Sequence, residues 1–157
     1  MDISLEQSLA AVIRFIQDNS EEGTKLYFED ISEDFYVPSI YFQIPYTAGR
    51  KATLSSYCTT MTMNIWIMER SDWEAQAKAA DMRDGIMLNN CLIPIMDEEG
   101  KATGKSLRVT PPTTRKIDDG IVELSISFDV YFQPEVQTTK IQKFYIAWSK
   151  AIQETNK

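Results

Sequence analysis

Two stretches of this chain alternate so regularly between apolar and polar side chains that they dictate most of what it can become. In the first, Leu54 to Arg70, the residues Tyr57, Thr59, Met61, Met63, Ile65 and Ile67 fall on one side, and Ser56, Cys58, Thr60, Thr62 and Asn64 on the other. In the second, Gly120 to Phe132, Val122, Leu124, Ile126, Phe128, Val130 and Phe132 face one way, with Glu123, Ser125, Ser127 and Asp129 opposite. Successive side chains of a strand point to opposite faces, so each stretch predicts one long, half-buried strand. Both exceed the usual strand of about 5–6 residues. An apolar sheet face must be covered, and the remaining sequence supplies helices to cover it.

The first helix is read from "SLEQSLAAVIRFIQ". Ser4 with Gln7 three residues later is a capping-box pattern, and Leu5, Leu9, Val12, Ile13 and Ile16 form one apolar stripe at helical spacing. Asn19, Ser20 and Gly23 stop it. A short strand is expected at Lys25–Glu29, followed by the acidic turn Glu29–Asp34. The extended stretch "FYVPSIYFQIP" carries Pro38 and Pro45; proline cannot donate to a ladder, so this segment belongs at a sheet edge or is broken by a bend. Tyr46–Thr53 ("YTAGRKAT") reads as a flexible loop leading into the long strand. A second helix is expected from about Ser71 to Asn89, capped by Ser71 with Glu74 and buried along Ala75, Ala79, Met82 and Ile86. "CLIPIMDEEGKATGKSLRV" is two short extended pieces around a glycine-rich turn. After the second long strand, Ile141, Phe144, Tyr145, Trp148 and Ile152 line one face of a C-terminal helix, read as docked on the core with a partner-binding arm as the alternative. The order lacks a regular βαβ alternation. It predicts a single α+β domain over residues 1–157: a mostly antiparallel sheet with two main helices packed on one face, plus the C-terminal helix.

Charge and composition exclude several classes. Lys+Arg 16 against Asp+Glu 23 gives a net charge of −7. DNA affinity comes largely from cations that displace counterions, and no basic stripe is present, so a conventional nucleic-acid binder is not expected. An acidic protein can still sit beside DNA that it lets pass. No unbroken apolar window approaches about 18 residues, and no basic stretch precedes an apolar block, so neither a membrane span nor a secretion signal is expected. Cys58 and Cys91 are too few and too far apart for a disulfide framework or zinc knuckle, and read as two buried, reduced thiols.

The chain has no histidine, which removes Ser-His-Asp and Cys-His catalysis and most zinc or non-haem iron sites. Asp97, Glu98 and Glu99 precede Gly100 as adjacent acids of a solvated turn, with the wrong spacing for a calcium loop. "GKATGKS" (Gly100–Ser106) imitates a phosphate loop but places only Lys101, Ala102 and Thr103 between its glycines, and an extended, proline-blocked segment comes next where a helix is needed. It reads as a hairpin turn. Trp66 falls on the otherwise polar side of the first long strand, either covered by a helix or exposed to a partner. No catalytic, cofactor or metal site is expected, and no enzymatic activity.

In order along the chain, "VPSIYFQIP", the long strand, a helix bearing Trp and Ala, "LIPIMDEEGKATGKSLRV", the aromatic–Asp pair of "SFDV" and the closing "KFYIAW" resemble one family. These are the tail terminator, or tail completion, proteins of tailed phages and prophages of Gram-positive bacteria, often labelled minor structural proteins. The resemblance runs from about Phe35 to Trp148 and is best over Leu92–Val109; where the family has Trp-Asp, this chain has Phe128–Asp129. It implies an α+β subunit of a homo-oligomeric ring, commonly a hexamer, that caps the head-proximal end of the tail tube. Such a ring ends tube polymerisation and offers a surface to the head connector or stopper. Tailocins, tail-like particles without heads, use the same cap. The implied location is the virion neck, assembled in the host cytoplasm, with DNA passing unbound through the channel. Interface candidates under this reading are Arg50 and Lys51 on their loop, Trp66, and the acidic residues Asp97, Glu98 and Glu99. Another head–tail neck protein (head completion or stopper) and a small-ligand-binding α+β domain are the alternatives.

Overall fold

In the computed structural model, residues 5–28, 31 and 35–133 are described. The expected C-terminal helix and the acidic turn, apart from Ile31, lie outside them. Helix α1 spans Leu5–Asp18, and the short strand β1 Lys25–Tyr27 runs parallel to β2, Ser39–Phe42. Strand β3, Tyr46–Lys51, leads by a tight turn into β4, Tyr57–Met68. Helix α2, Asp72–Leu88, is followed by the hairpin of β5, Leu92–Met96, and β6, Ala102–Arg108. Strands β7, Thr113–Asp118, and β8, Ile121–Phe132, complete the chain's described part.

The main sheet has the order β1-β2-β4-β8-β7, with β3 also on β4, and every pairing but β1–β2 is antiparallel. The two long strands are its spine: β4 and β8 pair over their full lengths, Tyr57 opposite Phe132 through Met68 opposite Ile121. Met61, Met63, Ile65 and Ile67 of β4 share one face with Val122, Leu124, Ile126, Phe128 and Val130 of β8, and all are buried. Ile40 and Phe42 of β2 extend the same face by pairing with Ile67 and Ile65.

The helices cover this face unequally. Ala75, Ala79, Met82 and Ile86 are buried, and α2 lies on β4, β7 and β8. Ser71 caps it as expected, its Oγ accepting from the Glu74 amide at 3.3 Å. Helix α1 buries Ala11, Val12 and Ile16 in the same core but leans chiefly on β5, so the β5–β6 hairpin with Ile93, Ile95 and Leu107 carries part of the cover. The expected α+β architecture is the one observed. Among the described residues no helix is long and apolar enough to cross a membrane.

One expectation fails. Tyr46–Thr53 is not a flexible loop: residues 46–51 form β3, paired from Tyr46 opposite Thr62 to Lys51 opposite Tyr57. The segment shows no alternation because both of its faces are exposed. Its order comes from the backbone of β4, which no local pattern in "YTAGRK" announces. The proline reading holds as a bend: β2 and β3 share one edge of β4, and Pro45 sits in the break between them.

Candidate assembly interface

The side of the sheet facing away from the core carries polar side chains in cross-strand register, and they satisfy one another. Thr60 Oγ1 donates to Asp129 Oδ1 at 2.5 Å, the Thr62 and Ser127 hydroxyls meet at 2.8 Å, and Ser125 Oγ donates to Asn64 Oδ1 at 3.0 Å. Directly opposed Cβ atoms lie about 4.5–5.5 Å apart, which is the reach of two short hydroxyl side chains. Trp66 continues the ladder, its Nε1 donating to Glu123 Oε2 at 3.2 Å.

At Trp66 the register lines up a row across five strands: Tyr27, Tyr41, Trp66, Glu123 and Arg115. Tyr41 meets Trp66 edge-on at 5.7 Å, and Arg115 Nε donates to the second Glu123 oxygen at 3.1 Å. Trp66 is half-buried, and among the described residues it packs against its own sheet neighbours rather than a helix. Sequence reading found Trp66 but missed its row. The partners come from strands far away in the chain, and only the register joins them.

Arg50 faces the same side from β3. Its guanidinium donates to Asp129 Oδ2 at 3.0 Å, and hydrogen bonds to Tyr131 and then Asp129 raise its pKa further. Asp129 and Glu123 each accept from two fixed donors. This use of carboxylates clamps strands together. Lys51, the next residue, points to the opposite side, has Tyr57 as its cross-strand neighbour, and has no ion-pair partner among the described residues.

The acidic turn is elsewhere. Asp97 closes the β5–β6 hairpin: its Oδ1 accepts from the Lys101 amide at 2.8 Å, and its carbonyl accepts from the Gly100 amide at 3.0 Å. Glu99 pairs with Lys101 at 3.0 Å, and Glu98 is exposed. Gly100 takes a φ of 81°, the left-handed conformation that such a turn needs. The turn runs directly into strand β6 rather than a helix, so "GKATGKS" belongs to a hairpin, as expected. The structure thus groups Arg50 with Trp66 on the open face and separates Asp97, Glu98 and Glu99 from them.

The other end of β4 is acidic. A groove of about 480 Å³ is lined by four acids, Glu21, Glu69, Glu74 and Asp81, and two cations, Arg70 and Lys78. Lys78 bridges Glu69 at 2.5 Å and Glu21 at 3.0 Å. Burial opposes its charge, but the bonds to Glu69 and Glu21 outweigh that and raise its pKa. Cys58 is buried and Cys91 half-buried, both as free thiols.

No protein-family model matches the chain. It is 30% identical over 95 residues to the uncharacterized protein YqbJ of Bacillus subtilis (strain 168), a match covering 60% of this chain and 66% of YqbJ, just under two thirds of that protein. It is 27% identical over 101 residues to the phage-like element PBSX protein XkdJ of the same organism, covering 64% of this chain and 69% of XkdJ. One solved structure aligns at a TM-score of 0.46 and 19% identity over 85% of this chain and 99% of its own. The virion of a native gene transfer agent particle aligns at 0.42 and 9% identity, over 80% of this chain and 93% of that one. The chain is thus similar in sequence to a protein of a phage-like element.

Proposed function

We propose that this protein is a structural component of a phage-type particle and works by assembly rather than catalysis, as a ring on the head-proximal end of a tail tube. The observation that carries the reading is the open face of the sheet. It is broad, polar and internally satisfied, so a neighbouring subunit or a tube can cover it without stranding a donor or acceptor. Its carboxylates are held by fixed donors, which suits scaffolding. Similarity to a phage-element protein supplies the context. In this reading the ring stops tube growth, joins the head connector, and belongs to the virion neck after assembly in the host cytoplasm. A net charge of −7 keeps a ring of such subunits from holding DNA in its channel.

The test is electron microscopy of the purified protein mixed with tail tubes, together with deletion of its gene from a particle-producing strain. Rings seated on one tube end, and tails of uncontrolled length after deletion, are expected. Protein that ignores both tube ends, with deletion leaving tails of normal length joined to heads, overturns the proposal.

A further inference from the structure

We propose that the apolar, lysine-bearing tip of the β3–β4 hairpin docks into the acidic groove at the far end of β4 of a second copy, head to tail. The inference rests on the ring reading and specifies its subunit contact.

The tip is built by local bonds. The amides of Ala52 and Thr53 both donate to the Ser56 carbonyl at 3.1 Å, and the Thr53 and Ser56 hydroxyls meet at 2.7 Å. This turn holds Leu54 fully in solvent, at 106% exposure. Tyr57 beside it is also exposed and is braced by stacking on Phe132 at 5.0 Å. A braced aromatic next to a protruding leucine is the make-up of an interface anchor. Arg50 is already engaged with Asp129, so Lys51 is the cation this tip can offer.

The groove carries Arg70 but its acids outnumber its cations. Lys78 is committed to Glu21 and Glu69, while Glu74 and Asp81 stand exposed at the rim without ion-pair partners among the described residues. An adjoining pocket of about 110 Å³ shares Glu21, Glu69, Lys78 and Asp81 and reaches the edges of Ile40, Ile67 and Met82. Tip and groove lie at opposite ends of a 12-residue strand, roughly 40 Å apart. Complementary surfaces at opposite ends cannot pair within one subunit. They join copies heterologously, which closes into a ring or runs on as a filament.

Unlabelled and ¹⁵N-labelled full-length protein are mixed, treated with a zero-length carbodiimide, and digested for mass spectrometry. Lys51 is expected to couple to Glu74 or Asp81 in peptides of mixed isotope. Self-association is measured by sedimentation in parallel. Lys51→Glu alone, and Glu74→Lys with Asp81→Lys, should each weaken it about tenfold, and the three together should restore it. Lys51 cross-links confined to one isotope, or leading to residues 134–157, overturn the contact. Wild-type rings indifferent to all these changes overturn the contact and leave the ring reading intact. A wild type monomeric in solution and on tube ends overturns both.

Discussion

The two faces of one sheet solve the same problem by opposite means. On the core side, the apolar residues of β4 and β8 are sealed under α2, α1 and the β5–β6 hairpin, with Ile65, Leu124 and Ile126 at 0% exposure. On the other side the same strands are held across by hydroxyl and carboxylate pairs, most of them half-buried. The first face gains free energy by excluding water; the second is nearly neutral toward it. That asymmetry teaches that one sheet can be stabilised by burial on one face and by polar pairing on the other.

The largest effect that would break this comparison is expected at Ile126. Ile126→Asp places an unpaired charge in the sealed face and should cost about 4 kcal/mol or more, read by denaturant unfolding. A variant that folds with little loss would mean the faces are wrongly assigned. Next in size is Gly120, which joins β7 to β8 with φ 71°; a Cβ there would sit 2.5 Å from the Glu69 carbonyl oxygen. Gly120→Ala should cost about 2–3 kcal/mol, because strain and a backbone clash add.

Asp72 tests the seam where both faces end. Its carboxylate accepts from the Gly120 amide at 2.6 Å and from Lys116 at 2.7 Å, and these, the amide first, hold its pKa below the ordinary carboxylate value. A lowered folded pKa means a contribution present at neutral pH and lost as pH falls through that value. Asp72→Asn should therefore melt below wild type at neutral pH, with the gap closing in acid. A gap that stays constant would remove the ionic contribution from the account. The smallest effect sharpens the comparison from the open side. Thr62→Val combined with Ser127→Ala removes both partners of one pair and should change stability by less than about 1 kcal/mol. A loss as large as that at Ile126 would show that the open face is sealed by something else.

Much of this was legible from residues. The alternation of Met61 to Ile67 and of Val122 to Val130 marked the core face directly, because period two is a local property of a strand. Ser71, Ala75, Ala79, Met82 and Ile86 likewise announced α2, since caps and helical spacing are written within one segment. Other features left no local trace. Strand β3 borrows its order from β4. Glu123 looked like any polar alternate until register placed it between Trp66 and Arg115, and Arg50 looked like a spare cation until the fold set Asp129 against it.

What the sequence by itself determined is the set of elements and the side each presents to the core, since propensity, periodicity and capping act over a few residues. Only the tertiary structure decided which strands lie side by side, and therefore which polar groups are paired and which, like Lys51, have no ion-pair partner among the described residues. Pairing over a separation of 57 residues, as between Trp66 and Glu123, comes from closing the whole sheet over one core, and no shorter stretch of chain contains that information.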